Sequence, residues 1–127
     1  GEDVLRAMRE IERAARGVGR FFVDHDILLT ATLAKPTPEL GHLDTTDPMA
    51  MVERAGAYSI LTSPFNVTGQ PAISLPLGTD ATGLPLGTQL VAGFGREDLL
   101  VAVGAQLEQA RPWDITPVWP PPGIAED

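Results

Sequence analysis

The chain has no cysteine, so disulfides, thiol catalysis and any zinc site built on cysteine are excluded. It has a single lysine, Lys35, and nine basic residues against seventeen acidic ones, for a net charge of −8. That balance disfavours a nucleic-acid partner, because phosphate-backbone binding needs clustered Lys and Arg. No apolar run approaches the length of a membrane span, which disfavours a membrane partner. No basic-then-apolar leader opens the sequence, and a cytoplasmic location is expected. The 127 residues amount to one domain's worth of chain, enough for a modest core. Thirteen Gly and twelve Pro make it rich in turns.

Val4, Leu5, Met8, Ile11, Ala15 and Val18 recur at helical spacing, predicting a helix over 3–22. Asp3 is the candidate N-cap, and Gly17 and Gly19 would loosen the far end. Glu2–Arg6 and Glu12–Arg16 have the favourable i,i+4 order, and the period implies that one stripe is buried. Arg6, Arg9, Arg13, Arg16 and Arg20 interleave with acids and read as a solvated face rather than a nucleic-acid patch. The run from Asp26 to Leu33 is continuously apolar at its centre and predicts a strand covered on both faces. Lys35 to Gly41 follows as an extended, Pro-rich loop. Asp47-Pro48 predicts a capped helix start, with the helix running to about Ser59. Ser63-Pro64 and Gly69-Gln70-Pro71 read as turns.

Ile73, Leu75 and Leu77 alternate with Ser74, Pro76 and Gly78, and a second alternating run spans 86–91. These are two strands joined by a hairpin turn at Asp80-Ala81-Thr82-Gly83. Pro76 has no ladder donor, so it must face an edge, a bulge or a loop. Arg96-Glu97-Asp98 opens a last helix whose stripe is Leu99, Leu100, Val103 and Leu107, with Val103 at its middle, and Pro112 stops it.

Two blocks carry the most information. The first reads Asn66-Val67-Thr68-Gly69-Gln70-Pro71-Ala72-Ile73-Ser74-Leu75-Pro76. The second reads Gly83-Leu84-Pro85-Leu86-Gly87-Thr88-Gln89-Leu90. With the Arg96-Glu97-Asp98-Leu99-Leu100 helix start, they resemble the C-terminal third of an amidase signature enzyme, over about residues 4–111. The family also has an Asp-Val-Leu-Leu-Thr-Pro-Thr strand before a Pro-rich loop; here Ala31 stands in place of its Pro. The resemblance implies an α/β fold: a mixed sheet with an antiparallel hairpin and flanking helices, part of an amidase signature fold. Residues 1–111 would be the C-terminal segment of the amidase-like domain and 112–127 a Pro-rich tail. It also implies hydrolysis of carboxamide C–N bonds through a serine acyl-enzyme, with no cofactor and no metal. The family's Ser–Ser–Lys machinery, with its Gly/Ser-rich loop, lies upstream of this segment, and no such loop occurs here.

The titratable and nucleophilic candidates have blander readings beside the chemical ones. Asp24-His25-Asp26 has the chemistry of a metal ligand or base, but a metal needs at least three ligands and His42 adds no spacing motif. A solvated turn is favoured. Ser59, Ser63 and Ser74 need a base within reach, and none sits in a Gly-x-Ser-x-Gly elbow. Lys35 is the one Ser–Lys partner on offer, from a loop that looks exposed. Asn66-x-Thr68 fits a glycosylation acceptor, but Asn66 and Thr68 can also bond their own turn while Gly69 takes an unusual φ.

The reading is therefore the C-terminal part of an amidase acting on a small-molecule amide, with no catalytic residue in this chain. Thr32 and Leu33, where the strand leaves for its loop, are the candidate substrate-wall residues. A homo-oligomer is expected, because strand edges and apolar faces would lack cover. The rival is a non-catalytic binding or assembly module derived from the same fold.

Overall fold

A computed structural model of the chain describes residues 1–114. Four helices and three strands follow in the order α1 (Glu2–Asp24), β1 (Ile27–Ala31), α2 (Pro48–Ser59), α3 (Ser63–Thr68), β2 (Ala72–Thr79), β3 (Pro85–Ala92) and α4 (Glu97–Ala110). Of the expected tail, residues 115–127 lie outside the described residues. The three strands form one sheet in the order β1-β3-β2, antiparallel throughout. The expected pairing of 73–78 with 86–92 is present.

Residues directly opposite in an antiparallel ladder share a face. Leu29, Leu90 and Ile73 share one face, and Thr30, Gln89 and Ser74 share the other. α4 packs on the apolar face. There Leu75, Leu90, Ala92 and Leu100 form the buried cluster, with Ile73, Leu77, Val103 and Leu107 packed around it. The predicted stripe of α4 is correct in direction. Its most buried member is Leu100 at 3 % exposure, while Val103 is half-buried.

The hairpin is built as its residues dictate. The Asp80 carboxylate accepts the backbone N–H groups of Thr82 and Leu84 and the Thr82 hydroxyl, and Gly83 takes φ 88°. The Thr82 hydroxyl first, then the backbone donors, hold the Asp80 carboxyl below the usual carboxylate range. Pro76 sits where the register shifts between Leu75 and Gly78, a bulge on an outer strand, where its missing donor costs no ladder bond.

α2 starts as expected. The Asp47 carboxylate accepts from the N–H groups of Met49 and Ala50, both at 3.1 Å, ahead of Pro48. Asp47→Ala should destabilise the chain by about 1 kcal/mol, the usual cost of losing an N-cap acceptor. Chemical denaturation of both proteins checks this; equal midpoints would show that α2 is held without its cap.

Several expectations need correction. Asp3 lies inside α1, whose N-cap is Gly1; its carboxylate pairs with Arg6 at 2.9 Å, displacing the expected Glu2–Arg6 pair. The helix also runs through Gly17 and Gly19 without a break. The expected Glu12–Arg16 pair is present. The apolar stripe of α1 is not buried: no residue of the helix is, and Val4, Leu5, Met8 and Ile11 are all exposed. Only its later turns gain cover, where Ala15, Val18 and Phe22 are half-buried and the helix meets α3. β1 is not covered on both faces. It is an outer strand, and Leu29 is 63 % exposed.

A further correction is Ser63-Pro64, which opens α3 rather than a turn. Pro fits the first turn of a helix, where its N–H would have no partner anyway. Phe65, at 8 % exposure, anchors this short helix. Gly69 ends it at φ 82°, its N–H bonded to the Phe65 carbonyl at 2.8 Å.

Candidate functional site

The polar face of the sheet is organised around side-chain bonds between segments distant in sequence. Gln89 is 4 % exposed, and its amide Nε2 donates to the Thr30 hydroxyl at 2.9 Å and to the Leu61 carbonyl at 3.0 Å. A buried amide needs such partners, because an unsatisfied one carries its full desolvation cost. The Gln89 side chain thus ties β3 to β1 and to the segment between α2 and α3. Beside it, the Thr32 and Ser74 hydroxyls lie 2.6 Å apart. They close over Gly87, where an added Cβ would meet Thr32 Oγ1 at 2.7 Å, Ser74 Oγ at 2.8 Å and Thr32 Cβ at 2.9 Å. Gly87 is therefore glycine for space. The β3 backbone must pass close under two hydroxyls. Nothing near Gly87 and Gln89 in sequence signals these roles beyond the motif, because their contacts come from β1, β2 and Leu61.

A cleft of about 260 Å³ opens at the end of β1 and the start of β3. Leu29, Leu33 and Leu86 supply apolar lining, and Thr37 and Thr88 are polar residues beside them, while the Thr30 hydroxyl meets Gln89 on the other face. Lys35 is the one titratable side chain lining it. The cleft suits an apolar group with a polar end, and contains no nucleophile-and-base arrangement. Of the two expected wall residues, Leu33 lines the cleft, while Thr32 points its hydroxyl to Ser74 on the other face.

The remaining candidates have structural partners. The Lys35 ammonium lies 5.7 Å from the centre of the Tyr58 ring, a cation–π distance, and His42 meets the same ring edge-on at 5.8 Å. His25 stacks on Phe21 with ring centres 4.2 Å apart. Its Nδ1 lies 3.0 Å from the Phe21 carbonyl, so that nitrogen carries a proton and donates. His25 thus closes the end of α1 rather than opening a ligand set. Among the described residues, no group of three His, Asp or Glu side chains is placed to hold a metal. The Ser63 hydroxyl donates to the Ser59 carbonyl at 2.9 Å, and Ser74 is held by Thr32. Thr68 Oγ1 donates to the Pro64 carbonyl at 2.7 Å and also contacts the Gln70 amide oxygen. The Asn66 N–H bonds back to the carbonyl of Thr62, the N-cap of α3. The block 66–69 is thus a helix end that aims the chain into β2.

Comparison with known proteins bears on this arrangement directly. The family model described as Amidase matches residues 2–101, which include both motif blocks. A protein of Mycobacterium tuberculosis designated amidase AmiC is 44 % identical over 107 residues, covering 84 % of this chain and 23 % of that protein. The 6-aminohexanoate-cyclic-dimer hydrolase of Paenarthrobacter ureafaciens is 46 % identical over 95 residues, 69 % of this chain and 19 % of the relative. A solved structure of 6-aminohexanoate cyclic dimer hydrolase superposes with a TM-score of 0.78 at 41 % identity, covering 89 % of this chain and 25 % of that one. A glutamyl-tRNA(Gln) amidotransferase polypeptide of Thermotoga maritima shares the fold, with a TM-score of 0.70 at 23 % identity over 87 % of this chain and 23 % of that one. The chain spans about a quarter of the length of the relatives it matches.

Proposed function

The chain belongs to the amidase family, and from that premise we propose that it is the C-terminal part of an enzyme that hydrolyses carboxamide C–N bonds through a serine acyl-enzyme. The match across residues 2–101, with both motif blocks inside it, carries this reading. The nucleophile, its partner serine and the lysine that relays the proton belong to a part of the enzyme outside these residues. The serines of this chain hold helix turns and strands, and its single lysine rests over Tyr58. Its contribution is a wall. The cleft at the end of β1 offers Leu33 and its apolar neighbours to the acyl side of a small-molecule amide. Thr32 acts on that wall indirectly, by fixing β1 to β2 across Gly87.

The exposed half of α1 supports a larger fold over a freestanding module. A module with its own closed core would have covered Val4, Leu5, Met8 and Ile11, whereas a surface shared with further chain would leave them bare.

The test begins with the reading frame upstream of Gly1. A Gly/Ser-rich loop and a lysine are expected there, and the longer polypeptide should hydrolyse amides through an acyl-serine outside residues 1–127. The purified 127-residue chain should show no amide turnover, since without the catalytic unit little more than residual rate acceleration remains. An initiation codon directly before Gly1 would overturn the reading. So would amide turnover by the 127-residue chain that is lost when one of its own serines is changed.

A further inference from the structure

The loop over residues 32–47 supplies Leu33, Lys35 and Thr37 to the lining of the cleft. It is fastened to α2 at two places. The Ala34 N–H bonds the Tyr58 carbonyl at 3.0 Å, and the Arg54 guanidinium donates to the His42 carbonyl at 3.3 Å. Arg54 and Tyr58 lie one helical turn apart, on the same side of α2. Beside these fastenings, the half-buried Tyr58 ring meets the Lys35 ammonium at 5.7 Å and the His42 ring edge-on at 5.8 Å. Among the described residues Lys35 makes no salt bridge, so the Tyr58 ring is the partner of its charge. All of these contacts lie within the chain.

We propose that Tyr58 is a specificity-determining residue that acts through Lys35: its ring holds the ammonium aside, so the cleft takes an uncharged acyl group and offers no counter-charge to an anionic one. This inference rests on the amidase reading, in which the cleft faces the acyl side of the substrate. A lysine on such a wall would ordinarily attract a carboxylate, because no other lining residue is charged. The ring competes for the same charge. An exposed cation–π contact and an exposed ion pair are of similar strength, so a partner already in place removes most of the advantage an anionic ligand would gain. The Ala34 bond acts in the same direction, because it fixes the backbone between Leu33 and Lys35 against α2, next to the ring. Removing the ring therefore releases the charge while Leu29, Leu33 and Leu86 still line the cleft.

Lys35 is the single lysine of the chain and Tyr58 its single tyrosine, so each can be followed without overlap. In the 127-residue chain with isotope-labelled lysine, the Lys35 side-chain NMR signals should carry an upfield ring-current shift. Tyr58→Phe should keep that shift and Tyr58→Leu should abolish it. In the longer polypeptide, the readout is the ratio of kcat/KM for hexanamide to that for adipamic acid, which has the same chain length and ends in a carboxylate. Tyr58→Leu should move this ratio toward adipamic acid by about threefold or more, the order of one cation–π contact, and adding Lys35→Met should cancel the move. Tyr58→Phe alone and Lys35→Met alone should each leave the ratio within about twofold of the parent's. Lys35 signals at random-coil positions in the parent overturn the proposal, and that result needs no variant to fold. A ratio that Tyr58→Leu leaves unchanged, a move that persists without Lys35, or a large change from Lys35→Met alone overturns it as well. Absence of any amide turnover by the longer polypeptide overturns the amidase reading instead, while the Lys35 signals still decide whether Tyr58 holds the charge.

Discussion

Leu100→Ala is expected to lower the stability of the 127-residue chain by about 2–5 kcal/mol, the usual range for truncating a buried leucine. Leu100 is 3 % exposed and lies where α4 meets Leu75, Leu90 and Ala92. Removing its side chain gives up the transfer free energy of the lost carbons and leaves a cavity that strands β2 and β3 cannot easily fill. The cost is large here because the core is thin. Among the described residues, the buried apolar set is Phe65, Leu75, Leu90, Val91, Ala92 and Leu100. A loss of that size is a substantial share of the roughly 5–15 kcal/mol that holds an ordinary domain folded. Urea unfolding followed by circular dichroism measures it. Val101→Ala on the same helix is the control: Val101 is 66 % exposed, so its truncation should change stability by no more than about 0.5 kcal/mol. If both variants unfold at the parent's midpoint, α4 does not cover the sheet as described.

Gly87→Ala is expected to cost about 1–3 kcal/mol, the penalty of forcing an extra carbon into occupied space. All three atoms nearest the added Cβ lie under 3.0 Å away, and they are not the loose ends of long side chains. Thr32 and Ser74 are short, so relief requires their hydroxyl pair to part or the strands to separate. Two of the three contacts are hydroxyl oxygens. Adding Thr32→Ala and Ser74→Ala should therefore recover part of the loss, while Thr32 Cβ keeps the rest. The same Gly-to-Ala change at Gly17, mid-helix with open space around it, should have the opposite sign and stabilise by up to about 1 kcal/mol. Thermal melts of these variants test the pattern, and equal stability of Gly87→Ala and the parent would mean that β3 does not pass under the Thr32–Ser74 pair.

Features governed by neighbouring residues were legible without coordinates. Asp47-Pro48 caps α2 because a carboxylate and a missing N–H act within one turn. Asp80 to Gly83 closes the hairpin because Asp accepts from its own loop and Gly takes a positive φ. Pro76 marks a bulge because it has no proton to give. The two motif blocks, with the Arg96-Glu97-Asp98 start, identified the family from residues alone. Of the candidate wall residues, Leu33 lines the cleft, and Thr32 turns its hydroxyl to Ser74.

What the tertiary structure decided is which surfaces find partners. Periodicity shows that α1 and β1 each have apolar residues in register, but the element that would cover them need not be near in sequence. In this chain Val4 to Ile11 and Leu29 meet nothing that buries them, so two correct patterns led to two wrong burials. Ser63-Pro64 reads as a turn from sequence alone, yet it opens α3, whose Phe65 ring is buried. Gly87 and Gln89 gain their roles from Thr32, Ser74, Thr30 and Leu61, brought to them by strand pairing across long stretches of chain. Caps, turns and periods depend on interactions within a few residues and can be read locally. Burial and close approach depend on which distant segments meet, and that is settled only when the sheet is assembled.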